Sequence, residues 1–179
     1  MTTIDTTVLH WVLLSAAAAA LLFGAAHDVA VRTVPNLVSA IVAVAGLGLN
    51  ALDAHLGSAV FCGGLVFAGC WCCWRQGWIG GGDVKLLSAC AMLVPPAAVP
   101  ELVLATAIAG GALALFYLGL ARLLPRGATT QSIGRRPTGL IGRIWRAERR
   151  RISRRLSLPY ACAISAGVLL TLNISVALG

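Results

Sequence analysis

Two aspartates stand beside long apolar stretches that are otherwise almost free of charge. Asp28 follows the first apolar run in His27-Asp28-Val29-Ala30-Val31-Arg32-Thr33-Val34-Pro35-Asn36, and Asp83 opens the fourth in Gly80-Gly81-Gly82-Asp83-Val84-Lys85-Leu86-Leu87. Ionisable residues near a bilayer core are expensive and usually mark a function. A close pair of carboxyls suits water-activated peptide hydrolysis, because two such neighbours do not both ionise readily and share one proton. The ionised member takes a proton from water as it attacks a carbonyl, and the protonated member hydrogen-bonds the developing oxyanion. The pair titrates as a unit, so neither role is assigned to a single Asp. Each aspartate also has a plainer reading. Asp28 can pair with Arg32 at the i, i+4 spacing, and Asp83 can act as a helix N-cap.

Whether the two can meet depends on the elements that carry them. With 59% hydrophobic residues, 11% charged residues and a mean hydropathy of +0.88, the 179-residue chain is too apolar for an ordinary soluble domain. It reads as one all-α, polytopic membrane domain over 1–179, with apolar segments at about 8–26, 37–52, 56–74, 84–94, 102–124 and 160–178. Helices follow because each backbone polar group in lipid must be satisfied within its own segment. The first run is not a signal peptide, since Asp5 replaces the basic n-region and no clear cleavage site precedes Asp28.

Charge sets the orientation. Of the 14 Lys and Arg residues, 11 lie between Arg122 and Arg155, opposed there by Glu148 alone. Placing this connector (about 122–158) in the cytoplasm and counting backwards puts Arg32, Arg75 and Lys85 inside as well, and Asp5, Asp53 and Glu101 outside. The result is about six spans, both termini outside, and both Asp28 and Asp83 at cytoplasmic helix ends. Trp71, Trp74 and Trp78 then form an aromatic belt at the inner end of the third helix, with Trp11 near the outer end of the first. Nucleic-acid binding is the other reading of such a connector, but positive-inside charge attracted to anionic lipid head groups explains it more simply.

Pro95 and Pro96 stop the fourth segment after about 12 residues, or roughly 18 Å of helix against a core of about 30 Å. It can instead start below the membrane surface, after irregular backbone at Gly80-Gly81-Gly82, and so hold Asp83 at depth. These glycines permit φ > 0 and close approach, and they do not form a nucleotide loop, because the GxxxxGK[ST] pattern is absent. Pro35 biases Val34 toward an extended connector. Cys62, Cys70, Cys72, Cys73, Cys90 and Cys162 form no convincing disulfide framework and no complete metal set, and read as small buried hydrophobes.

At these residues the chain resembles the type IV prepilin peptidases, in which an Asp lies seven residues before a Pro-Asn or Pro-Asp pair and a GxGDxK element follows. Asp28 with Pro35-Asn36 and Gly80 to Lys85 match both, and Leu158-Pro159-Tyr160-Ala161-Cys162-Ala163-Ile164 is similar to the Pro-Tyr-Ala stretch that opens that family's last helix. The resemblance covers most of the chain. It implies an aspartic endopeptidase of the inner membrane that needs no cofactor or metal and removes short basic leaders from prepilins or pilin-like subunits at the cytoplasmic face. By that resemblance Asp28 and Asp83 are catalytic, while Arg32, Pro35, Asn36, Gly80, Gly81, Gly82 and Lys85 bind substrate or shape the site. Bifunctional members carry a methyltransferase region with paired CxxC motifs, which this sequence lacks, so it resembles the short peptidase-only form typical of Flp or Tad pilus systems. The alternatives are another GxGD intramembrane protease, similar to presenilin or the archaeal preflagellin enzymes, and a small transporter using the two aspartates as proton or cation ligands.

Overall fold

The computed structural model describes residues 3–123 and 160–178. They form six α-helices: α1 (Thr3–Val31), α2 (Asn36–Leu52), α3 (Leu56–Arg75), α4 (Gly81–Leu93), α5 (Val99–Leu123) and α6 (Tyr160–Leu178). A 3-10 turn at Pro96–Ala98 leads into α5, and there is no strand among the described residues. All but the first residue of the basic stretch from Arg122 to Arg155 therefore lies at or beyond the end of α5, and residues 124–159 fall outside the described residues.

Three helical stretches are long and apolar enough to cross a membrane: Thr6–Val31, Leu56–Arg75 and Pro96–Leu120. Asn36–Leu52 and Tyr160–Leu172 are apolar but shorter. Large side chains such as Trp11, Phe61, Leu65, Ile108, Leu115 and Phe116 are exposed on these helices. A soluble monomer rarely leaves so much contiguous apolar surface uncovered, whereas lipid accepts it. The chain is an all-α membrane protein.

The short α4 runs through the interior, packed against α2, α3 and α6. Leu86, Cys90 and Val94 are fully buried, and Val84, Ala89, Ala91 and Leu93 nearly so, which is how a helix apolar on every side is accommodated. Backbones of α2 and α4 touch at Gly46, where a Cβ would lie 2.5 Å from the Met92 carbonyl oxygen. One turn further on, Asn50 Nδ2 donates to the carbonyls of Gly46 and Met92, both at 2.9 Å. Met92 is in the last turn of α4, whose carbonyls have no partner within the helix, so Asn50 takes the place of water there. Beside it, α1 packs on α2 and α6, and α5 packs on α6.

The cysteines only partly follow expectation. Cys90 is buried, but Cys72 is exposed and Cys62, Cys70, Cys73 and Cys162 are partly exposed, because most of them lie on helices whose outer faces have no protein neighbour. Trp71, Trp74 and Trp78 are exposed around the end of α3, with the Arg75 guanidinium 5.3 Å from the Trp71 ring.

Candidate active site

Asp28 and Asp83, 55 positions apart, face one cleft of about 340 Å³ whose remaining lining is Arg32, Thr33, Val34, Asn36 and Gly82. The two carboxyls are near enough for their charges to act on one another. Asp28 is carried by the last turn of α1, which continues past the apolar run to Val31, so a rigid helix and not a connector holds it. The side chain is 5% exposed. Its Oδ2 accepts a hydrogen bond from the Ala161 N–H at 3.1 Å, in the first turn of α6. That turn supplies both an orphan donor and the positive end of a helix dipole, as a buried carboxylate requires.

Asp83 is held differently. The N-cap of α4 is Gly80, and Asp83 is the third residue of the helix, so the N-cap reading does not hold. Its own N–H donates to the Gly80 carbonyl at 3.1 Å, and its carboxylate lies against Gly80, where a Cβ would come 3.0 Å from Oδ2. The glycines are not irregular loop: Gly80 has φ −76° and Gly81 and Gly82 are helical. Their use is close approach. A Cβ on Gly82 would come 3.3 Å from Val34 Cβ, and one on Gly81 would meet the Trp74 indole at 3.4 Å.

Arg32 ends α1 with φ +63°, a left-handed conformation rare outside glycine. Its N–H closes the last helical bond on the Asp28 carbonyl at 2.8 Å, and its guanidinium lies 5.6 Å from the centre of the Tyr117 ring on α5. Pro35 occupies the N-cap of α2 with extended backbone. Lys85 is exposed, and its Nζ donates to Asn36 Oδ1 at 3.1 Å, bracing the start of α4 against the start of α2. Of the expected site residues, Asp28, Arg32, Asn36, Gly82 and Asp83 thus line the cleft, whereas Pro35, Gly80, Gly81 and Lys85 support it from behind.

Several contributors were missed by the sequence reading. The His27 ring, through Nδ1, donates to the Thr33 carbonyl at 2.7 Å, folding the connector so that Thr33 and Val34 form a wall of the cleft. The only local signal was a histidine next to Asp28. Tyr117 and Ala161 come from distant helices, and only the Pro159-Tyr160-Ala161 fragment hinted at the second. Among the described residues, no three His, Cys, Asp or Glu side chains converge as a metal ion would require.

Against known proteins, a model of the type IV leader peptidase family matches residues 15–115, more than half of the chain. The curated proteins and the solved structures yield no match. The matched span contains both aspartates, the α1–α2 connector and the glycines that open α4. A membrane-embedded helical bundle that brings these segments to one cleft belongs, with that match, to the type IV leader peptidase family.

Proposed function

We propose that this chain is an aspartic endopeptidase of the inner (plasma) membrane that cleaves the basic leaders of prepilins or pilin-like subunits at the cytoplasmic face, with Asp28 and Asp83 as its dyad. The observation that supports it best is the meeting of these two carboxyls in one small cleft, with Asp28 held there by the Ala161 N–H. The ionised member of the pair takes a proton from water, and the water oxygen bonds to the scissile carbonyl carbon while the protonated member gives its proton to the carbonyl oxygen. Collapse of the resulting diol breaks the C–N bond. The first carboxyl then protonates the leaving amine, and a diol hydroxyl returns a proton to the second, which restores the pair. Thr33, Val34 and Gly82 line the same cleft, beside which the scissile peptide would lie.

In this reading the basic connector (about 122–158) lies in the cytoplasm against anionic lipid. Its charge gives the orientation, with Arg32, Arg75 and Lys85 on the same side. The chain processes but does not methylate its product. The test is the full chain in proteoliposomes with a prepilin substrate, followed by mass spectrometry of both fragments. Expected are a single cut ahead of the pilin's apolar helix and an unmodified new N-terminus even when a methyl donor is supplied. Cleavage at the wild-type rate by Asp28→Asn or Asp83→Asn removes the aspartyl mechanism and returns weight to the transporter reading.

A further inference from the structure

The start of α6 is tied down more firmly than its apolar composition explains. Along α1, three bonds cross to α6 in antiparallel order: Ser165 Oγ to the Leu21 carbonyl at 3.3 Å, Cys162 Sγ to the Ala25 carbonyl at 3.6 Å, and the Ala161 N–H to Asp28 Oδ2 at 3.1 Å. Positions 21, 25 and 28 fall on one face of a helix, so the bonds form a seam that ends on the catalytic carboxylate. On its other side α6 sits against α5 with equally little clearance. A Cβ on Gly110 would lie 3.2–3.3 Å from the Tyr160 ring and hydroxyl, and one on Gly167 would collide with Thr106 Oγ1. Ala161, Ala163, Ile164 and Ser165 are all buried. Nothing in this packing lets α6 slide along α1 without drawing the Ala161 N–H away from Asp28.

We infer that Ala161 is a positioning residue, its backbone N–H fixing the Asp28 carboxylate in the orientation that faces Asp83, and that the α1–α6 seam with Tyr160 on Gly110 sets the register of that donor. This rests on the dyad reading above. A side chain at 161 contributes nothing to such a role, so the seam is invisible to substitutions that keep the amide hydrogen. Proline is the informative replacement, because it removes the donor and is tolerated in the first turn of a helix.

The experiment compares Ala161→Gly and Ala161→Pro, full length in proteoliposomes, for kcat and KM on a prepilin. Ala161→Gly keeps the donor and should stay within about threefold of wild type, the scale of a glycine in a helix end. Ala161→Pro should lower kcat about ten- to a hundredfold, the worth of one hydrogen bond to a charged group, with KM moved less than about twofold. Gly110→Val supplies a second arm should the proline variant fail to accumulate. It lies on α5, away from the cleft lining, and should lower kcat about three- to tenfold by displacing Tyr160. The inference is overturned if Ala161→Pro keeps wild-type kcat, if its loss lies in KM, if Ala161→Gly loses as much, or if an accumulated Gly110→Val turns over normally. A wild-type protein that cleaves nothing defeats the peptidase reading itself, and the two failures are thereby told apart.

Discussion

A second cleft, at the end of the bundle away from Asp28, is larger than the one shared by the two aspartates. It measures about 550 Å³ against about 340 Å³, and is walled by Leu14, Leu49, Leu93, Pro95, Pro96 and Leu172 with His10, Asn50, Asp53 and His55 among its polar residues. It too has a carboxylate, since Asp53 Oδ1 lies 3.3 Å from His10 Nε2. The difference lies in how the carboxylates are held. Asp53 is 56% exposed and paired with a partly exposed histidine, an arrangement that water can replace at little cost. Asp28 is buried and bonded to a helix N-terminus, and a second carboxyl faces it. Volume alone points to one end of this molecule, and burial of facing carboxyls to the other.

The comparison breaks most sharply at the carboxylates. Asp28→Asn and Asp83→Asn are each expected to reduce leader cleavage by about 10²- to 10⁴-fold, the usual worth of an acid–base group, at normal abundance in the membrane. Asn at position 83 is close to isosteric with Asp, so a merely structural Asp83 would leave the variant active. Quantitative cleavage assays beside immunoblots of the membrane fraction decide between them. Gly82→Ala should come next, about five- to a hundredfold, because its Cβ would lie 3.3 Å from Val34 Cβ, so that the cleft wall must shift to take it.

Smaller effects sharpen the same contrast. Lys85→Met removes one exposed bond to Asn36 and should slow cleavage by about three- to fivefold. Asp53→Asn, in the larger cleft, should leave the rate within about twofold, and shift thermal stability by no more than about 1 kcal/mol. A rate loss there comparable to that of Asp28→Asn would mean that both clefts serve the reaction, and the distinction drawn from burial would be lost.

Much of this was legible in the sequence, for identifiable reasons. Runs of apolar residues ended by Pro, Gly and charge gave the six helices to within a few residues, since lipid enforces regular backbone along each run. The meeting of Asp28 and Asp83 followed from counting inward and outward ends, a calculation that needs only alternation. Sequence pattern failed where geometry is decided across long separations or against propensity. Ala161 reaches Asp28 over 133 positions, and no local pattern encodes that N–H. Arg32 adopts a glycine-like conformation because its N–H bonds the Asp28 carbonyl and its side chain finds Tyr117, neither of which is visible nearby. The glycines before Asp83 were read both for conformational freedom and for close approach; two of them are helical, so only the second use holds.

Asn50, on α2, completes the hydrogen bonding at the far end of α4, and this bears on the order in which the chain is made. Thirteen residues give about 20 Å of helix, too little to partition into a bilayer of about 30 Å as an independent segment. The stretch bearing Asp83 therefore has to be sheltered by its neighbours as it leaves the insertion machinery, and α2, already synthesised, brings the donor that its open carbonyl needs. Asp28, made first of all, waits longest, because the Ala161 N–H is available only when the last helix has been translated. A nascent chain halted before that helix would hold both aspartates but lack the donor that orients Asp28, so the pair is assembled in its final geometry only once α6 has packed against α1.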